Sequence, residues 1–150
     1  MTFVKGDMFE GKFNALVNPV NCEGVMGKGL AKLFKDLYPT MFSQYVEECK
    51  QTQVRIGEVR CYKEGEATII NFPTKDKGRN NSLPTYIDAG LLHLLGTVIP
   101  VNKFRRVAVP ALGCGEGGLK WENVKRQIQL WHDTFEGRLR WQEVVVFEPK

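Results

Sequence analysis

Apolar positions along the chain change their period several times, and each change marks the border of an element. Short runs dense in β-branched and aromatic residues, TFVK at 2–5, FNALVN at 13–18, RVAVP at 106–110 and QEVVVF at 142–147, read as strands. Two further strands are expected at 58–62 and 68–72, with Gly65 in the turn between them. Elsewhere helical spacing takes over. Leu30, Leu33, Phe34 and Leu37 form one stripe, Pro39 breaks it, and Met41, Phe42, Tyr45, Val46 and Cys49 form a second. A third helix carries Ile87, Leu91, Leu94, Leu95 and Val98, with Ser82 placed to cap it, and a last one carries Val124, Ile128, Trp131 and Phe135. Trp121, Trp131 and Trp141 fall near the last helix and strand and are expected to pack in the core. Strands alternate with helices through the second half, which predicts an α/β sandwich.

The bulk numbers narrow the class. A chain of 150 residues, 43% hydrophobic and 25% charged, is expected to form one domain, spanning residues 1–150, with a single soluble core. No apolar run reaches the ~18 residues needed to span a bilayer, and no signal-peptide pattern opens the chain, so a cytoplasmic protein with no membrane partner is expected. The net charge of +4 permits a nucleic-acid or nucleotide partner without requiring one. Cys22, Cys49, Cys61 and Cys114 show no metal-ligand or disulfide spacing, so no metal is expected. Cys22 and Cys114 each lie in a glycine turn, but His93 and His132 both fall in helical stretches, and the thiols read as small buried residues rather than nucleophiles.

Two glycine turns stand out. Residues 17–37, VNPVNCEGVMGKGLAKLFKDL, run from strand through Gly24, Gly27 and Gly29 into a helix, and residues 106–119 run from RVAVP through GCGEGG. Free backbone N–H groups at a helix start, approached closely through glycine, suit an anion. Each turn is either a phosphate cradle or a plain connector, and two of them at the carboxyl ends of strands fit a diphosphate. A side chain at Gly24 is expected to crowd the first turn. Neither turn matches GxxxxGK[ST] or the dinucleotide fingerprint, which removes the kinase and dehydrogenase classes. Residues 74–82, TKDKGRNNS, are polar and read as a surface loop, either functional or a solvated connector.

Taken together, ALVNPVN, GVMGKGLAKLFK, INFPTK, VAVPALGCGEGGLKW and VVVFEP, in that order over nearly the whole chain, resemble the macrodomains. Within that family the chain is most similar to the branch holding the DNA ADP-ribosyl glycohydrolase antitoxins and the human terminal ADP-ribose protein glycohydrolase. The resemblance implies a three-layer α/β/α sandwich with a mixed central sheet and an ADP-ribose cleft across its top. It implies that Asp7 receives the adenine amino group with Met8 and Phe9 beside the ring, and that Asn18 and Asn21 lie by the distal ribose unless they merely bond their own turn. Gly24, Val25, Met26 and Gly27 would form the first diphosphate loop, and Leu112, Gly113, Cys114, Gly115, Glu116 and Gly117 the second, with Thr74 nearby and Phe147 toward the adenosine.

Lys75, in NFPTK, matches the lysine this branch uses in catalysis. Two roles are open to it. A free lysine titrates near pH ~10.4, so attack on the ribose anomeric carbon needs a depressed value, which Lys77, Arg79 or partial burial would have to supply. As an ammonium it would instead stabilise charge on a departing group. The human relative pairs its lysine with an aspartate in the second loop, where this chain has Gly117, and that departure tilts the expectation from protein esters toward a nucleobase, thymidine in single-stranded DNA. Glu23 and Glu116 are the carboxylates in the two loops, as acid or base or as solvated charges. The resemblance thus implies an ADP-ribosyl glycohydrolase needing no cofactor, acting as a monomer on an ADP-ribosylated macromolecule. The alternatives are a non-catalytic ADP-ribose-binding module, a phosphatase acting on ADP-ribose 1''-phosphate, and removal of ADP-ribose from protein carboxylates. The sequence stops soon after the last motif, so a second, toxin-neutralising domain is not expected.

Overall fold

The run ALVNPVN forms β2 (Ala15–Asn21), the strand around which the others are laid in a computed structural model that describes residues 1–150. β1 (Thr2–Val4), β3 (Arg60–Glu64), β4 (Ala67–Lys75), β5 (Arg106–Val109) and β6 (Glu143–Phe147) complete a six-stranded sheet of order β1-β6-β5-β2-β4-β3. Every neighbouring pair is parallel except β3 and β4, which are antiparallel and joined by the turn at Gly65. The mixed sheet that the resemblance implies is therefore present. Parallel neighbours require crossovers, and these supply the two helical layers.

Alternation along the strands sorts the core. Leu16, Ile69 and Ala108 face α1 (Gly29–Leu37) and α2 (Pro39–Lys50), where Phe34, Met41 and Tyr45 are fully buried. Ala15, Val17, Ile70, Phe72, Val107 and Val109 face the other way, onto α3 (Pro84–His93), α4 (Ile99–Asn102) and α5 (Trp121–Thr134). Pro39 ends one helix and opens the next, since proline has no N–H to donate but suits a first turn. No helix is long and apolar enough to cross a membrane.

Several sequence expectations shift. β2 begins two residues late and continues through Pro19 to Asn21, because β5 pairs with it only as far as Leu16 and one side of β2 is free beyond that point. Ser82 does not cap α3: Pro84 fixes the helix start, Leu83 takes the cap position with no side-chain bond, and Ser82 is buried. The long third helix is interrupted by a π turn at Leu94–Val98, where Ile99 N–H reaches back to the Leu94 carbonyl. Pro100 cannot donate to the Gly96 carbonyl, and Arg138 Nη1 takes that place at 2.9 Å. Trp121 and Trp131 are half-buried, with indole N–H groups donating to Glu148 and Asp88, whereas Trp141 is 82% exposed and lies outside the core.

Gly90 tests how tightly the layers mesh, since a Cβ there would lie 2.2 Å from the Phe72 ring. Gly→Ala in a helix ordinarily gains up to ~1 kcal/mol. Here the fully buried ring cannot retreat, and Gly90→Ala is expected to lose ~1–3 kcal/mol, read as a lower urea midpoint at unchanged slope.

Candidate active site

Five parallel strands bring five carboxyl ends to one edge of the sheet. β2 and β5 part above Leu16, and their connections leave on opposite faces, β2 toward α1 and β5 toward α5. A crevice must open at such a switch point. It is a cleft of about 840 Å³, lined by the residues that follow β1, β2, β4, β5 and β6.

The first glycine loop is held by one side chain. Asn21 Oδ1 accepts from the N–H groups of Glu23 (3.0 Å) and Val25 (3.4 Å), and its Nδ2 donates to the Val25 carbonyl (2.8 Å). The buried Tyr45 hydroxyl of α2 sits 2.7 Å from Asn21 Oδ1 and 2.8 Å from the Asn21 carbonyl. Burial raises the Tyr45 pKa, so the phenol stays a donor. Gly24 and Gly29 turn the chain at φ +89° and +59°, Met26 points inward, and Val25 is 51% exposed at the rim. α1 then starts at the cleft with no side chain capping it, so the first-turn amides of Gly29, Leu30 and Ala31 have no acceptor within the helix.

Lys75 is the last residue of β4 rather than part of a loop, and Thr74 beside it is buried. Val20 pairs with Pro73 and Asn21 with Lys75, leaving Thr74 unopposed in a bulge that re-aims the strand end. Lys75 Nζ donates to the Gly78 carbonyl at 2.8 Å, and Glu23 Oε1 accepts from the Gly78 N–H at 2.7 Å. The segment expected to be all surface is thus anchored at both ends, since Ser82 N–H also donates to the Gly117 carbonyl at 2.9 Å.

That last bond reaches the second glycine loop. Gly113 and Gly118 take φ +73° and +77°, and Leu119 N–H closes the loop onto the Gly113 carbonyl at 2.9 Å. A Cβ at Gly117 would lie 2.3 Å from Ser82 Oγ and 2.6 Å from the Gly113 oxygen, so the absence of an aspartate there is built into the packing. Across the cleft, Asp7 Oδ1 caps the short 3-10 turn Met8–Glu10 by accepting from Phe9 N–H at 2.9 Å. Phe9 sits edge-on to Phe34, Phe147 sits edge-on to Phe13, and both phenylalanines line the cleft.

The cleft therefore gathers Asp7, Met8, Phe9, Asn21, Val25, Met26 and Gly27 with Thr74, Lys75, Phe147 and residues 113–117. Three expected site residues lie elsewhere. Asn18 is fully buried beneath the floor, with Nδ2 donating to Asn71 Oδ1 at 3.0 Å; Leu112 is in the core; and Gly24 faces α2. At Gly24 a Cβ would meet Cys49 Cβ at 3.5 Å, an ordinary contact, so the constraint there is the backbone angle and not crowding. Sequence reading passed over Gly78, Pro110 and Ala111, and the tail 148–150. The carboxyl-edge rule could have found all but Gly78, which carries no signal beyond a glycine in a polar loop.

Charges of both signs line the cleft, Lys28, Lys75, Arg79 and Lys150 against Asp7, Glu23, Glu116 and Glu148. The Trp121 indole, then Lys125, holds Glu148 below the usual carboxylate range. Burial, with Asp76 adding to it, pushes the Cys22 thiol up to about 12, and burial pushes Cys114 up to about 11, so neither is a thiolate near neutral pH. Neither histidine lines the cleft, and His93 Nδ1 accepts from Val59 N–H at 2.9 Å. No three His, Cys, Asp or Glu side chains converge as metal ligands do. The cleft brings together two glycine loops, a helix start with no side-chain cap and four cationic side chains, a combination that suits an anion.

Known proteins resemble this chain in sequence and in fold. The family model for the Macro domain matches residues 17–128. A Mycobacterium tuberculosis protein named DNA ADP-ribosyl glycohydrolase is 46% identical over 132 residues, 85% of this chain and 37% of its own length. The solved macrodomain of Mycobacterium tuberculosis DarG superposes with a TM-score of 0.92 at 42% identity, covering 99% of this chain and 97% of that one. The structure described as Thermosipho africanus DarTG in complex with ADP-ribose gives a TM-score of 0.87 at 30% identity, covering 98% of this chain and 41% of that one. The chain thus spans well under half the length of the curated relatives it first matches. With the family model matching most of its length and its fold superposing over nearly the whole chain on a solved macrodomain, this chain belongs to the macrodomain family.

Proposed function

We propose that this chain is an ADP-ribosyl glycohydrolase that frees ADP-ribose from a nucleobase, thymidine in single-stranded DNA, with Lys75 as its catalytic residue. The observation that carries the proposal is the meeting, in one cleft, of two glycine loops with a lysine whose amine is held at its edge. A diphosphate gripped by both loops fixes the attached ribose, and positioning of that kind lowers the barrier to a bond-breaking step. The names of the relatives support the substrate class, and the Thermosipho complex supports ADP-ribose as the bound portion.

In the reaction the bond from the anomeric carbon to the base breaks, water supplies hydroxyl to that carbon, and the base leaves with a proton. Charge grows on the base as an oxocarbenium-like centre forms. Lys75, its amine held at the cleft edge, is placed to stabilise that departing charge. Gly117 favours a nucleobase over a protein ester, since a lysine–aspartate pair through that position meets Ser82 Oγ and the Gly113 carbonyl.

Release of ADP-ribose from single-stranded DNA bearing ADP-ribosylated thymidine is expected from the wild type. It should fall by at least ~100-fold in Lys75→Ala, while calorimetric affinity for ADP-ribose changes by less than ~3-fold, about 0.7 kcal/mol. Wild-type turnover retained by Lys75→Ala would refute the catalytic assignment. DNA left untouched by the wild type would move the substrate to modified carboxylates, the 1''-phosphate ester, or binding alone. A second test addresses the first loop. Gly24→Val forces a β-branched residue to φ +89°, and ADP-ribose affinity is expected to drop about tenfold. Unchanged affinity in a folded variant would remove that loop from the binding site.

A further inference from the structure

Lys75 and Glu23 carry opposite charges at one end of the cleft, yet neither is among the four ion pairs of the molecule. Each spends its polar group on the same residue instead. Lys75 Nζ holds the carbonyl of Gly78 at 2.8 Å, and Glu23 Oε1 holds its N–H at 2.7 Å. Glu23 is itself steadied, because its own N–H donates to Asn21 Oδ1 at 3.0 Å, and the neighbouring Cys22 N–H donates to the Asp76 carbonyl at 2.9 Å. Gly78 has no room for more: a Cβ there would lie 2.9 Å from Glu23 Oε1 and 3.3 Å from Asn21 Nδ2.

From this geometry we infer that Glu23 is a positioning residue for Lys75, acting through Gly78, and neither the acid nor the base of the reaction. The inference rests on the reading of Lys75 as catalytic. The carboxylate pins the peptide that carries the acceptor, the acceptor fixes the amine at the mouth of the cleft, and Asn21 links that clasp to the first glycine loop. A flexible lysine would otherwise spread over many rotamers, and holding it in one of them is entropy spent before substrate arrives. The chemistry required of position 23 is an oxygen acceptor of the right length, not a charge.

The test compares wild type with Glu23→Ala, Glu23→Gln, Gly78→Ala and Lys75→Ala, following kcat and KM for ADP-ribose release from the modified oligonucleotide, thermal midpoints, and Gly78 amide exchange by NMR. Glu23→Ala breaks the clasp from one end, and Gly78→Ala breaks it from the other by displacing the carboxylate. Both are expected to lose ~10- to 100-fold in kcat with KM within ~3-fold, as for a misplaced group. In both, amide exchange at position 78 should quicken while the melting midpoint holds. Glu23→Gln keeps the oxygen acceptor and should restore kcat to within ~3-fold of wild type. Wild-type kcat in Glu23→Ala, beside an inactive Lys75→Ala, would overturn the inference alone. So would a Glu23→Gln as impaired as the alanine variant, which would make the charge itself the active feature, or a loss confined to KM, which would make Glu23 a ligand contact. Full activity in Lys75→Ala would instead overturn the underlying assignment, whatever Gly78 exchange shows.

Discussion

Parallel pairing at the middle of the sheet is the constraint on which this molecule depends. β2 lies between β4 and β5 and runs the same way as both, so no hairpin can join them and each connection must cross a face of the sheet. The crossovers become the helical layers, and Phe34, Tyr45, Phe72 and Ile87 are buried because those helices have nowhere else to lie. The same constraint sends the carboxyl ends of five strands to one edge. Since β5 pairs with β2 only through Leu16, that edge is split down its middle. The cleft is a product of topology before any particular side chain is considered.

What turns the cleft into a site is the pairing of polar groups that topology leaves without ladder partners. Backbone amides after β2 have lost their strand neighbours, and Asn21, steadied by Tyr45 from α2, satisfies two of them and so sets the shape of the first loop. The peptide groups of Gly78 and Gly117 are satisfied in the same way, by Glu23, Lys75 and the Ser82 N–H. These bonds knit the two glycine loops and the segment after β4 into one rim. Rigidity gained this way suits the proposed anion site, because amides held in place need no reorganisation when a ligand binds.

Glycine has two separate uses in the rim. At Gly113 and Gly118 the chain takes left-handed angles, and the amides of Gly118 and Leu119 close the loop on itself by donating to the Gly115 and Gly113 carbonyls. At Gly117 the requirement is closeness, since Ser82 Oγ occupies the space a side chain would fill. Ser82 and Asn18 each keep one buried oxygen with no partner in the protein, and both lie beneath the rim. Substitution at these positions therefore acts by different routes, through backbone angle in one case and through displacement of a packed neighbour in the other.

Much of this was legible in the sequence, because its signals are local. Period changes marked every strand and the main helices, and the two glycine turns placed at strand ends located the cleft. The order of the motifs identified the family. What the sequence could not express were contacts between positions far apart along the chain. The Asn21–Tyr45 bond, the grip of Glu23 on Gly78 across 55 positions and the packing of Ser82 on Gly117 depend on which elements the sheet brings together. The exposed Trp141 and the buried Ser82 misled for that reason, whereas the π turn at Leu94–Val98 follows from Pro100, a local signal inside an otherwise helical stripe. Composition and spacing determined that an α/β sheet with two glycine turns at its carboxyl edge would form, whereas only the tertiary structure decided how that edge is braced, because bracing is made of long-range hydrogen bonds and local periodicity does not record them.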